Sequence, residues 1–237
     1  ASPRREYNFQ AYEYLCVCPE SILTMTDGTA GATRRRLAQE LAVVAGFEDP
    51  HAPLEQYHTP PDLAAHIVHV ADLNGDVEGR TVLDLGCGTG MLALGAALRG
   101  PDRVAGIDID PAPLSTAREN ERRVGAMTDV SWVRGDVTDP PLAPGGDATV
   151  LMNPPFGAQS GNEGADRAFL KTAAGVSSVS YSVHNAGSES FVRAFAGDNG
   201  GRVTHAFAAE FELPRQFEHH GSDTRSIDTE VYRIEWE

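Results

Sequence analysis

The chain has 237 residues, enough for one Rossmann-sized domain with an extension or at most two small ones. Thirty-four acidic residues against nineteen basic ones give a formal net charge of −15, and Lys171 is the only lysine. No apolar run approaches the roughly 18 residues of a membrane span, residues 1–10 lack the apolar stretch of a secretory signal, and Cys16, Cys18 and Cys87 are too few for a disulfide framework.

These features point to a soluble, cytoplasmic chain with no membrane partner. An acidic, lysine-poor composition rich in small residues is expected of a halophile's protein, because molar salt screens the self-repulsion of its surface. The negative charge therefore leaves a nucleic-acid substrate open.

Residues 1–24 carry three tyrosines, two cysteines and no periodic pattern. Cys16-Val17-Cys18 has no second Cys/His pair nearby, so no metal site is expected there. Met25 is a candidate initiator, and residues 1–32 read as a flexible or non-native segment. Residues 33–53 read as a helical extension and 54–237 as the main domain. In the extension, Leu37, Leu41, Val44 and Ala45 repeat at helical spacing over Thr33–Ala45. Arg34, Arg35 and Arg36 in its first turn form either a solvated face or a phosphate contact.

From Thr59 onward, strands and helices alternate. Pro60-Pro61 opens a helix to Leu73. Strands are expected over Thr81–Leu85, Arg103–Asp108, Val130–Arg134, Asp147–Met152 and Val179–Val183. Helices are expected over Gly90–Arg99, Pro111–Val124, Asp166–Val176 and Ser188–Ala196, and two final strands over Arg202–Phe211 and Glu230–Trp236. This alternation predicts an α/β, Rossmann-like fold, a mostly parallel sheet with helices on both faces. Gly157–Gly164 reads as a polar, glycine-containing loop.

The chemistry concentrates at strand ends. Asp84-Leu85-Gly86-Cys87-Gly88-Thr89-Gly90 leaves a strand and opens a helix, the context of a glycine-rich nucleotide loop. Glycines 86, 88 and 90 let the backbone pass close to a ligand. Asp84 would repel a pyrophosphate but can hold an ammonium group or the loop's own amides. Asp108 ends the second strand, where a carboxylate can bond two ribose hydroxyls. Asp136, followed by Val137 after the third strand, can accept from an adenine amino group. After the fourth strand, Asn153-Pro154-Pro155-Phe156 fixes two acceptors, the Asn153 amide and the Pro154 carbonyl, beside an aromatic ring. That arrangement suits a planar group bearing an NH2.

The glycine loop, the acids and the Asn-Pro-Pro-Phe tetrad resemble the class I S-adenosylmethionine-dependent methyltransferases acting on exocyclic or amide nitrogens. A narrower resemblance spans Leu54 to Trp236. It is carried by Leu54-Glu55-Gln56-Tyr57-His58-Thr59-Pro60, Asn153–Gly157, Asp166–Thr172, Tyr181-Ser182-Val183-His184 and Ile227–Val231. These stretches look like the methyltransferase-like-five family, which makes N6-methyladenosine in small-subunit ribosomal RNA. The resemblance implies a seven-stranded class I fold and S-adenosyl-L-methionine as cofactor. Gln56 and Thr59 would close over it. Gly86, Thr89 and Asp108 would hold its amino-acid and ribose parts, and Asp136 and Val137 its adenine. Asn153, Pro154, Pro155 and Phe156 would hold the target adenine, with Gly157–Gly164 as a lid. Relatives also associate with a small zinc-binding activator protein that adds a strand at the third-strand edge. Here Val130–Arg134 carries no proline or lysine to block such pairing.

The chain departs from the family where relatives carry lysines: His219-His220-Gly221-Ser222-Asp223 and Asn185 stand there, and both changes remove positive charge. A release-factor glutamine-N5 methyltransferase and a DNA adenine-N6 methyltransferase are the competing readings, because an amide NH2 poses the same geometric problem as an adenine amine. A fold kept only as a binding scaffold would show damage to the glycine loop or tetrad, and neither is damaged. His66 and His69 sit at i, i+3 on a helix and read as structural, and Lys171 is explained by an ion pair with an acid such as Asp166.

Overall fold

A computed structural model describes residues 27–142, 146–155, 164–214 and 224–237, with the side chains of 27–32, 52, 210–214 and 224–227 left aside. Along the chain run α1 (Asp27–Leu41), α2 (Pro61–Leu73), β1 (Thr81–Leu85), α3 (Met91–Ala97), β2 (Arg103–Asp108), α4 (Pro111–Val124) and β3 (Val130–Arg134). Then come β4 (Ala148–Met152), α5 (Ala165–Val176), β5 (Val179–Asn185), α6 (Glu189–Asp198), β6 (Gly201–Pro214) and β7 (Thr224–Trp236).

The seven strands form one sheet in the order β3-β2-β1-β4-β5-β7-β6. β1 to β5 pair in parallel, and β7 runs antiparallel to both β5 and β6. Central strands are covered on both faces, so Val82, Leu83 and Leu85 of β1 and every residue of β4 are buried. One apolar cluster joins α1, α2 and α3 to one face through Leu41, Val68, Leu94 and Val183. A second joins α5 and α6 to the other through Leu85, Leu170, Val192 and Tyr232.

Local chemistry explains the helix ends. In α4, Pro111 supplies the preset first-turn φ and Asp110 caps the helix by accepting from Ala112 N–H at 3.0 Å. Gly125 ends it in a left-handed conformation.

Two expectations need adjustment. α1 begins at Asp27, six residues before the expected start and inside the segment read as flexible. The last two strands are longer than read, because backbone pairing continues to Pro214 opposite Thr224.

The register positions the site. Leu85 pairs with Ile107 on one side and Met152 on the other. Gly86, Asp108 and Asn153 therefore leave three adjacent strands at one level, at the carboxyl edge where open α/β sheets bind ligands.

Candidate active site

The glycine loop is held by its own amides. Gly86 and Cys87 N–H both donate to Ile107 C=O, at 2.8 and 3.0 Å, and Gly90 N–H to Cys87 C=O at 2.8 Å. Gly88 N–H donates to Asp108 Oδ2 at 2.8 Å. Gly90 has φ +92°, and a Cβ there would meet Trp132 Cη2 at 2.5 Å, so the position requires glycine on both counts. A Cβ at Gly88 would meet the Phe47 ring at 2.8 Å.

The acids differ in environment. Asp84 is 1% exposed and accepts from Ala93 N–H at 2.9 Å. Burial pushes its pKa up to about 7, opposed by that hydrogen bond and reinforced by the nearby Asp108 charge. Asp108 accepts from Asp110 N–H on Oδ1 and from Gly88 N–H on Oδ2, and burial raises it too. Each of its oxygens keeps a further lone pair for a hydroxyl. Asp136 is exposed, and its Oδ1 accepts from both Thr138 N–H and Oγ–H at 2.8 Å, which hold its pKa low. Val137 is buried, its C=O accepting from Thr172 Oγ1 at 2.7 Å.

Gln56 ties the segment before α2 to the β2–α4 turn. Its Nε2 donates to Asp110 Oδ2 at 2.8 Å, and its Oε1 accepts from His51 N–H at 2.8 Å. Thr59, buried at the end of the same segment, accepts from Asn153 Nδ2 at 3.0 Å. That bond fixes the Asn153 amide and leaves its Oδ1 buried without a partner. Pro154 is buried and Pro155 half-buried behind it. Phe156 and residues 157–163 of the expected lid lie outside the described residues, as do His219 and His220.

One cleft thus brings together Thr59, Asp84, Gly86, Gly88, Thr89 and Asn153. Gln56, Gly90 and Asp108 brace it, while Asp136 and Val137 lie farther along the edge, after β3. Sequence reasoning missed Phe47, Tyr57 and His58, which line the same cleft. They fall between helices, where no periodicity marks them.

A second polar cluster lies at the end of β5. Ser182 Oγ is 2.7 Å from His184 Nε2, and Asp166 Oδ2 is 4.0 Å from His184 Nδ1. Ser182 is fully buried and burial lowers the His184 pKa to about 4, and these contacts join the start of α5 to β5. Asp166 therefore faces His184, and Lys171 is exposed on α5. His66 is stacked on Phe207 with ring centroids 4.4 Å apart. Arg36 pairs with Glu40 on the exposed side of α1. No helix among the described residues is long and apolar enough to cross a membrane.

At the third-strand edge, Trp132 is not a free surface ring. It packs under Gly90 and Gly106 and donates its indole N–H to Glu121 Oε2 at 2.8 Å. Glu121 Oε1 also accepts from Val130 N–H at 2.8 Å. Ser131 is the exposed residue of this strand's centre.

The sheet order, the reversed β7 and a cleft built on the glycine loop and strand-end acids define a class I S-adenosylmethionine-dependent methyltransferase. The buried acid, the crowded glycine loop and the free Asn153 acceptor fit that cofactor beside a nitrogen substrate. Residues 61–177 match the family description "Methyltransferase small domain". The chain is 35% identical to an uncharacterized protein of Methanocaldococcus jannaschii, over 85% of its own length and 94% of that protein's. It is 33% identical to the rRNA N(6)-adenosine-methyltransferase Mettl5 of Drosophila melanogaster, over 85% and 95% of the two chains. A crystal structure from Pyrococcus horikoshii superposes with a TM-score of 0.76 at 35% identity, covering 86% of this chain and 97% of that one. The chain belongs to the METTL5-type methyltransferase family.

Proposed function

We propose that this chain transfers a methyl group from S-adenosylmethionine to N6 of an unpaired adenosine in small-subunit ribosomal RNA. The observation that carries this reading is the buried, unpartnered Asn153 Oδ1 in the cleft that also holds the glycine loop and Asp84. A buried acceptor without a donor costs on the order of 1–3 kcal/mol. A substrate NH2 would relieve that cost only when it sits at the carboxyl end of β4. The relatives' names supply the substrate class.

In this reading Asp84 faces the cofactor's ammonium group, Gly86, Gly88, Thr89 and Gly90 shape the loop around its amino-acid part, and Asp108 takes the ribose hydroxyls. Asp136 and Val137 meet its adenine, and Gln56 and Thr59 close the cleft. When bound, the cofactor supplies a methyl group on a positively charged sulfur. Asn153 Oδ1 and the Pro154 carbonyl accept the two N6–H hydrogens, and Pro155 and Phe156 hold the base plane. These acceptors orient the nitrogen lone pair, so the site works by alignment and needs no strong base. The adenosine must leave its stack to reach the cleft.

The partner implied by the family resemblance, a small zinc-binding activator, would add a strand along β3. β3 is the terminal strand of the sheet. Gly135 N–H donates inward to Asp108 C=O, so by strand alternation the Trp132 and Arg134 N–H groups face outward, ready for such a strand.

Labelled S-adenosylmethionine offered with separated small- and large-subunit ribosomal RNA, duplex DNA and release factor tests the reading. Label is expected in small-subunit RNA. Label confined to release factor or DNA would overturn it.

A further inference from the structure

The amino-acid tail of the cofactor carries a carboxylate as well as an ammonium group, and the cleft is poorly furnished for it. Among the described lining residues there is no lysine or arginine, and Asp84 contributes negative charge. The loop's amides are mostly committed: those of Gly86 and Cys87 to Ile107, that of Gly88 to Asp108 and that of Gly90 to Cys87.

Against this scarcity stands His58. It lines the cleft, its ring packs on Gly46 with both Cγ and Nδ1 at 3.4 Å from where a Cβ would be, and its Nδ1 is buried without a hydrogen-bond partner. We infer that His58 is a cofactor-positioning residue, its Nδ1–H donating to the carboxylate of the S-adenosylmethionine tail while Asp84 faces the ammonium. Burial lowers the His58 pKa, which favours the neutral ring with its one N–H. The Asp84 carboxylate and the His58 N–H then read the two ends of one zwitterion, which would set the tail's direction and with it the position of the sulfur. This assignment rests on the cofactor reading above.

Calorimetry on the whole chain tests it with two ligands, S-adenosylhomocysteine and its decarboxylated analogue, which differ only in the carboxylate. Wild type should prefer the carboxylated ligand by roughly tenfold or more, as expected for a hydrogen bond to a charged group. His58→Phe keeps the ring's packing on Gly46 and removes the donor. It should weaken S-adenosylhomocysteine by about the same factor and leave the decarboxylated analogue within about twofold. His58→Asn keeps an N–H near the Nδ1 position and should restore most of the preference. Equal weakening of both ligands by His58→Phe would make His58 merely structural and overturn the assignment, as would unchanged binding of both. Wild type that binds neither ligand would overturn the cofactor reading and this assignment with it.

Discussion

Replacing Asp84 with Asn removes the buried carboxylate that the described lining of the cleft offers to an ammonium group, and the structure sets the size of the effect. With its pKa near 7, Asp84 is mostly protonated at pH 6 and mostly ionised at pH 8. An ammonium ligand favours the ionised form, so affinity should rise about tenfold from pH 6 to pH 8, the ratio of ionised fractions, worth about 1.4 kcal/mol. Calorimetry of S-adenosylhomocysteine at pH 6.5 in two buffers of different ionisation enthalpy should count about 0.8 proton released per ligand bound. Asp84→Asn should bind more weakly at pH 8 and lose both the pH dependence and the proton release. The unliganded protein should respond in the opposite sense. Because the folded pKa is raised, Asp84 contributes stability below about pH 4, and that contribution is lost as pH rises through 7. A pH dependence that survives in Asp84→Asn would refute the reasoning.

Asp108→Ala should cost ~1.5–3 kcal/mol of cofactor binding, since it removes a charged acceptor from the ribose site and leaves Gly88 N–H unpaired; calorimetry measures it directly. His184, 2% exposed, has its pKa lowered to about 4 by burial, so the stability of its neutral form is present above pH 6.5 and lost as pH falls toward 4. Denaturant unfolding should lose about 2 kcal/mol more between pH 7 and 5 in wild type than in His184→Asn. At the β3 edge, Ser131→Glu should weaken co-purification of a zinc-binding activator at unchanged thermal stability. Trp132→Arg should instead lower the melting temperature, because that ring is packed under Gly90 and Gly106.

The parallel strands were legible because strands covered on both faces are rich in apolar residues, as Ala148–Met152 and the Val82, Leu83 and Leu85 positions of Thr81–Leu85 show. The site's skeleton was legible for a related reason: glycines after Asp84 and prolines after Asn153 are backbone requirements, and these are written in residue type. Orientation was not. Trp132 reads as an edge aromatic, but two side-chain-free glycines, 90 and 106, make the room that draws it inward. His58 and Tyr57 enter the cleft beside Gln56, which fastens their segment to Asp110, and Phe47 enters it beside Ala45, which Asn120 holds; these contacts, across 54 and 75 residues, leave no local pattern. Nor does periodicity reveal that Thr59 occupies Asn153 Nδ2 and so leaves Oδ1 as the open acceptor.

The most direct test of the account follows from that acceptor. Ribosomal RNA incubated with S-adenosylmethionine and either wild type or Asn153→Ala would be digested to nucleosides and its N6-methyladenosine quantified, with cofactor affinity measured in parallel. Asn153 acts on the acceptor nitrogen, so Asn153→Ala should form no N6-methyladenosine while binding cofactor within several-fold of wild type. N6-methyladenosine formed at the wild-type rate by Asn153→Ala, or activity lost only because cofactor no longer binds, would contradict the assignment.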